Sequence, residues 1–278
     1  METYRRLPRR IIDVSGPEAA DLLGGLFTND LPPEGEARFA ALLTPQGKIL
    51  FDFLMVGVDD GGFLLDVDEA AAAGFEKRLK LYRLRAKVDL KPRDDLAVVW
   101  SPDPSAEVPT GAIAAFRDPR LEALGSRAIV EGAEAEDGAA AYTAHRIALG
   151  VPEIAAEAGS NGFAPDQRFL MDVNYDALQG VSYSKGCFVG QEVASRMKRK
   201  GEVRKRTMRV IFDSHAEIAP GADVKAGSTT LGAMLDGPID DGAAGLAVIR
   251  VDKLDPSAPV DVAGTPARLE SPDYLEAD

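Results

Sequence analysis

The sequence predicts an α+β protein that ends in a small β-barrel. Three observations lead there. Between residues 11 and 84, β-rich runs alternate with helical patterns that are apolar on one face. From Val203 the helical signal stops, and short runs (KRTMRVIF, TTLGAML, AGLAVIRV) alternate with Gly, Pro and Asp turns, the pattern of a small antiparallel β domain. No internal repeat relates one part of the chain to another. The 278 residues, 45% of them hydrophobic, can bury a sizeable core and suit roughly two domains. The expected division is 1–200 and 201–278.

Residues 11–31, IIDVSGPEAADLLGGLFTNDL, predict a strand, a helix and a turn. Ser15 is the expected helix cap, Pro17 suits the first turn, and Gly24-Gly25 is the expected end. Residues 37–58 predict two strands joined at Thr44-Pro45-Gln46-Gly47, the second of them KILFDFLMVGV. Asp59-Asp60-Gly61-Gly62 turns the chain into FLLDV, and a helix follows from Glu69 to Leu84 with Leu79 and Tyr82 on one face. SPDPSAEVPTG (101–111) is a loop, and EGAEAEDGAAA (131–141) is an exposed acidic connection. A helix containing Arg146 covers 142–149, and 151–184 is irregular. Gly190 to Lys200 is helical, with Gly201 as its stop.

Lys and Arg total 32 and Asp and Glu 45, a net charge of -13, so the chain as a whole is not built to bind nucleic acid. One cysteine excludes an intrachain disulfide framework and points to a reducing compartment. One cysteine and two histidines also offer no metal-ligand spacing. METYRRLPRR is followed by no apolar signal region, and no run approaches the ~18–20 apolar residues of a membrane helix. A cytoplasmic protein without a membrane span is expected.

The single cysteine lies in KGCFVGQE, Lys185 to Glu192. It precedes a predicted helix start, where partial positive charge gathers, and Lys185 adds a cation. Both favour the thiolate, which is the nucleophilic and metal-binding form. Gly186 and Gly190 permit backbone angles or close approaches that a Cβ would block. A buried structural cysteine in a tight turn is an equally good reading of this spacing.

The segment KGCFVGQEVASRMKRKGEVRKR resembles the signature of the YgfZ family, folate-binding iron–sulfur cluster assembly factors related to the glycine-cleavage T-protein, an aminomethyltransferase. SGPEAADLLGGLFTNDL, TPQGKILFDF, RIALGVPEI and the β tail are similar to successive elements of that superfamily. The resemblance implies a three-lobed fold around a central folate channel, tetrahydrofolate as cofactor, and Cys187 as the essential reactive group with Lys185 beside it. It implies support for 4Fe-4S clusters in client iron–sulfur proteins, tRNA-modifying enzymes among them. The resemblance makes Asp52 the match to the catalytic carboxylate that contacts folate, where it can hydrogen-bond a ring nitrogen and favour positive charge on it. Phe51 replaces the preceding acid of the T-protein. Read from the strand alone, Asp52 is a polar residue on a solvent face. Arg146 matches a folate-contacting arginine, whose fork of donors suits a planar ligand, although a surface ion pair is a common fate for a helix arginine. Asn29, in the TND turn and equally readable as a simple turn residue, and Phe188, Gln191 and Glu192 complete the expected folate-binding set. A glutamate that grips the pterin in the T-protein has no identifiable counterpart.

Two basic runs stand out. Residues 196–209 and 77–93 each hold eight basic residues and one acid, a local charge of +7. A polyglutamyl folate tail, an acidic protein face or RNA would suit them, as would plain solvation. Aromatic residues make up 6% of the chain and are not interleaved with the runs, which argues against direct nucleic-acid binding. An aminomethyltransferase acting on tetrahydrofolate is the alternative, opposed by the cysteine motif, the lost acid and the shorter chain. A folate domain of a sarcosine- or dimethylglycine-oxidase type would come fused to a flavin domain, and no Gly-x-Gly-x-x-Gly opening follows a strand here.

Overall fold

The structure is a computed structural model that describes residues 4–132, 134–155, 160–201, 203–239, 243–255 and 257–276. Ala133 of the acidic connection and Glu202 of the second basic run lie outside the described residues. In chain order the first part comprises β1 (Arg5–Arg6), β2 (Arg9–Ser15), α1 (Ala19–Leu26), β3 (Ala37–Leu43), β4 (Ile49–Val58), β5 (Gly62–Asp68), α2 (Glu69–Arg83) and β6 (Asp89–Pro92). Next come β7 (Leu96–Ser101), β8 (Ala114–Arg117), β9 (Ser126–Glu131), α3 (Ala139–Ala148) and α4 (Gln191–Lys200). The last part is β10 (Arg206–Phe212), β11 (Asp223–Ala226), β12 (Thr229–Asp236), β13 (Ala244–Ile249), β14 (Val260–Val262) and β15 (Thr265–Glu270).

The strands form three sheets. The first has the order β3-β4-β5-β2-β6 and the second β1-β7-β9-β8. Period-two alternation gives the first sheet two apolar faces. Val14, Phe53, Met55 and Leu65 meet α1 and α2 through Leu23, Phe27, Phe75 and Leu79. Ile11, Val56 and Leu64 meet Val98, Trp100 and Ile129 of the second sheet. Phe53 and Phe75 lie 4.8 Å apart at the centre of the helical side. Truncating Phe75 to alanine would cost about 3–5 kcal/mol through lost burial and the cavity left behind.

The third sheet closes on itself in the order β10-β13-β12-β11-β14-β15, sealed by antiparallel pairing of β10 with β15. Val210, Phe212, Leu231, Met234, Ile249 and Val262 fill the barrel. The register of β12 on β13 shifts between Met234 and Asp236. Such a bulge re-aims the side chain beyond it, and here that side chain belongs to Asp236, which is wholly buried.

The start of α1 and its end differ from expectation. Ser15 closes β2, and the cap residue is Glu18, whose carboxylate accepts the Lys87 N–H at 3.0 Å. The helix runs through Gly24-Gly25 to Leu26. Neither glycine has an atom within 4 Å of where a Cβ would stand, so both are tolerated at their propensity cost of about 1 kcal/mol each. The helix stops where Phe27 turns extended and bridges to Leu42. By contrast α4 ends as expected, with Gly201 left-handed at φ 68°.

Candidate functional site

The cysteine loop is built on the turn that follows α1. Val189 N–H donates to the Gly25 carbonyl at 3.2 Å, and Ser182 N–H donates to Thr28 at 3.0 Å. Lys185 Nζ donates to the carbonyls of Phe27 and Asn29, each at 2.7 Å. Burial lowers the pKa of that ammonium, and nearby Asp30 partly offsets the effect. The sequence places Lys185 as a cation for the thiol; in the structure its ammonium is turned to these two carbonyls. The helix start is similarly offset, since α4 begins at Gln191, four residues past the cysteine, and the dipole effect fades beyond the first turn.

Gly190 has φ +83°, and a Cβ there would stand 2.6 Å from the Thr44 carbonyl oxygen. Gly47 has φ +80°, and its Cβ would stand 2.8 Å from Val193 Cβ. The TPQG turn and the VGQE segment are therefore packed back to back, and each needs its glycine. Phe188 is buried in the core with Leu43 and Ala194. Gln191 is half-buried and Glu192 exposed in the first turn of α4, where a carboxylate complements the helix dipole. Between these anchors the Cys187 side chain is exposed, so the presented reading, not the buried structural one, describes it.

Asp52 points inward from β4. It is 7% exposed, accepts the Ile154 N–H at 3.3 Å, and accepts a short hydrogen bond from the Tyr175 hydroxyl. Burial pushes its pKa up, and repulsion from Glu153 adds to the rise, against the Tyr175 hydrogen bond. Its solvent-face reading from the strand pattern is thereby replaced. Phe51, on the other face, packs its ring 5.2 Å from Phe75.

Arg146 belongs to a larger constellation. An alternating chain of charges runs Arg9, Asp66, Arg127, Asp118, Arg120, Glu153, Arg146, Asp236. Its seven links measure 2.6, 2.7, 3.4, 2.7, 2.5, 3.6 and 2.7 Å. It begins on β2 and β5, crosses β9 and the β8–β9 connection, passes α3, and ends on barrel strand β12. Tyr142 stitches its middle, accepting from Arg120 and Arg127 and donating to Glu153. Burial would raise the Glu153 pKa, but Arg120, Arg146, Arg9 and Arg127 outweigh it and hold the carboxylate well below its usual range. Asp236 shows the reverse balance: burial wins over Arg146 and raises it. Of these residues the sequence singled out only Arg146; Glu153 lies in the quoted RIALGVPEI but in a stretch that reads as irregular.

Two cavities flank this centre. One, about 460 Å³, is lined by Asn29, Asp30, Arg38, Phe39, Gln179 and Tyr183, among others. The Asn29 amide donates to the Phe39 and Gln179 carbonyls. Arg38 Nε and the Tyr183 hydroxyl are buried without a hydrogen-bond partner among the described residues. The second, about 220 Å³, is lined by Phe51, Asp52, Asp68, Gly74 and Ile154. The Phe39 ring stands edge-on to Tyr175 at 4.7 Å, so one aromatic pair joins the first cavity to Asp52. Arg146 lines neither cavity; it meets Asp52 only through Glu153, which acts on both.

The architecture as a whole is similar to the glycine cleavage system aminomethyltransferase T from Bartonella henselae, with a TM-score of 0.71 over 99% of this chain and 87% of that one at 15% identity. This defines the class as the T-protein fold. Residues 204–277 match the family model of the CAF17 C-terminal β-barrel domain. In sequence the chain is 33% identical over 286 residues to the human mitochondrial iron-sulfur cluster assembly factor IBA57, covering 90% of this chain and 78% of that protein. The Neurospora crassa homologue is 32% identical over 288 residues, covering 90% and 64%, and the mouse protein 29% over 265, covering 81% and 71%. The chain belongs to the IBA57 family of iron–sulfur cluster assembly factors.

Proposed function

We propose that this chain supports assembly or repair of 4Fe-4S clusters in client enzymes, tRNA-modifying enzymes among them, with Cys187 as its reactive group and a reduced folate bound beside it. The YgfZ-type likeness of KGCFVGQE is the finer form of the same reading. The observation that carries it is the exposed thiol held on a loop anchored by Lys185, Phe188 and Gly190. With one cysteine in this sequence, further thiolates for a cluster engaged there would come from a partner.

The residues present fit a folate. The 460 Å³ cavity is of ligand size, and the unpartnered Arg38 Nε and Tyr183 hydroxyl give it polar groups to satisfy. Asn29 would border the ligand there; Asp52 lines the second cavity and would reach the first only through Tyr175 and Phe39, while Phe188, Gln191 and Glu192 line neither and would act through the position of the loop. When bound, a reduced folate supplies a one-carbon carrier. Asp52 can hold or accept a proton at Oδ1, since Oδ2 already accepts from Tyr175 and Ile154, and burial raises its pKa. Lys185 orients the loop, and Arg146 acts by fixing Glu153. Among the described residues no helix is long and apolar enough to cross a membrane. The human relative is mitochondrial by name; a cytoplasmic place for this chain is part of the proposal, checked by fractionation.

Deleting the gene should lower the activity of 4Fe-4S enzymes, most under oxidative stress, and the wild-type chain should restore it. Tetrahydrofolate should raise the melting temperature, and Tyr183→Phe or Asp52→Asn should reduce that rise. Supplied with tetrahydrofolate and an aminomethyl-loaded carrier protein, the chain should release no appreciable ammonia. Robust release, with 4Fe-4S enzymes unaffected by deletion, would overturn the reading in favour of one-carbon transfer.

A further inference from the structure

A third cavity, about 320 Å³, lies at the far end of α4 from the cysteine loop. Among the described residues its lining carries Lys48, Lys200, Arg204 and Lys205 and one carboxylate, Asp172. Its floor is apolar, formed by Phe169, Met171 and Met197. The local sequence explains the shape. Lys48 Nζ donates to the Gln167 carbonyl at 3.0 Å and stands 3.5 Å from the Phe169 ring centre, which fixes one wall. Gly201, left-handed at φ 68°, ends α4, and Val203, Arg204 and Lys205 beyond it also line the cavity.

Like charges are gathered here in a chain whose net charge is -13. Among the described residues neither Lys200 nor Lys205 has an acidic partner. Burial lowers the Lys48 pKa, Asp172 partly restores it, and Lys205 and Arg168 lower it further. Such a cluster is stabilised by an anion. The basic surface also continues past the cavity onto Arg196 and Arg199, both exposed, a footprint longer than a small molecule needs. The floor argues against a nucleic acid: its one ring, Phe169, is already covered by Lys48, and base stacking requires an open aromatic face.

We propose that this cavity is the docking site for an acidic polypeptide segment that inserts an apolar side chain between Phe169, Met171 and Met197. The ten residues of α4 put Lys200, in the cavity lining, about 15 Å along the helix from the cysteine loop. That the segment belongs to a client protein rests on the function proposed above; the binding itself does not.

The test is fluorescence anisotropy on the full chain with three labelled probes: a ten-residue peptide of alternating glutamate and leucine, its glutamine counterpart, and a ten-nucleotide single-stranded RNA. The glutamate peptide should bind, weaken as salt is raised, and lose at least about tenfold in affinity in the Lys200→Glu/Lys205→Glu variant. Met197→Asp should also weaken it. The same charge reversal at Lys77 and Arg78, in the other basic run, should leave it unchanged, and circular dichroism should confirm that every variant is folded. Equal binding by wild type and the Lys200/Lys205 variant, equal weakening by the Lys77/Arg78 control, or tighter binding of the RNA would each overturn the proposal. Neither Cys187 nor folate enters this assay, so it can fail while cluster assembly stands, and the reverse.

Discussion

The alternating charge chain and the cysteine loop handle polar chemistry in opposite ways. In the first, four arginines and four carboxylates are drawn from both sheets, α3 and the barrel. Nearly all are buried, and each meets an opposite charge on at least one side. In the second, the only thiol of the chain stays in solvent while the backbone around it is tied down by carbonyl contacts and two left-handed glycines. Removing one member of a buried ion pair strands its partner, whereas removing an exposed side chain strands nothing. The lesson is a division of labour: the chain of charges joins the sheets, α3 and the barrel, and the loop leaves its thiol exposed, outside the core packing.

That contrast can be broken from the charge side first. Asp66 holds both Arg9 and Arg127. Asp66→Ala should lower stability by about 3–5 kcal/mol in urea unfolding; a loss below about 1 kcal/mol would show that the pairs are individually dispensable. The same network sets an acid limit. Folded Glu153 titrates well below its ordinary 4.5, and Asp118 below its ordinary 3.8, where Arg120 and Arg127 outweigh burial. For a depressed carboxylate the stability gain is complete above the unfolded value and is lost as pH falls toward the folded one. Stability should therefore fall below about pH 4.5, and the fall should be shallower in Glu153→Gln.

On the loop side, Gly190→Ala meets both a positive φ and the Thr44 carbonyl. It should cost about 2 kcal/mol and displace the loop, seen as altered labelling of Cys187 by a thiol reagent. Lys185→Ala leaves the Phe27 and Asn29 carbonyls without their donor and should cost about 1–2 kcal/mol. A cost confined to Lys185→Ala, with Gly190→Ala neutral, would mean that the loop is held by its side chain alone. Asp52→Asn is the mildest and has the opposite sign. A carboxylate whose pKa is raised on folding costs stability above its unfolded value, so the neutral amide should raise the melting temperature slightly at pH 7.

What the sequence made legible follows the same divide. Three of the six barrel strands, β10, β12 and β13, and α2 and α4 are local patterns, and Gly201 stops α4 as its position implied; the short β11, β14 and β15 lie outside the legible runs. The resemblance carried by KGCFVGQE located the loop because those residues are contiguous. Leu96–Ser101 and Ser126–Glu131 are short apolar strands that pair across a separation no local pattern records. The charge chain was invisible for the same reason: its members are scattered from residue 9 to residue 236, each an ordinary surface charge until folding brings it to a partner. Gly24-Gly25 misled in the other direction, because a helix tolerates glycines it does not need for a turn.

The central claim is that Cys187 is dispensable for the fold and indispensable for the function. Cys187→Ser tests it in one comparison, because serine keeps the shape and supplies no thiolate near neutral pH. The purified variant should unfold within about 0.5 kcal/mol of wild type. Expressed at equal level in cells lacking the gene, it should fail to restore 4Fe-4S enzyme activity under oxidative stress. Full restoration by the serine variant would contradict the account and remove the thiol from the mechanism.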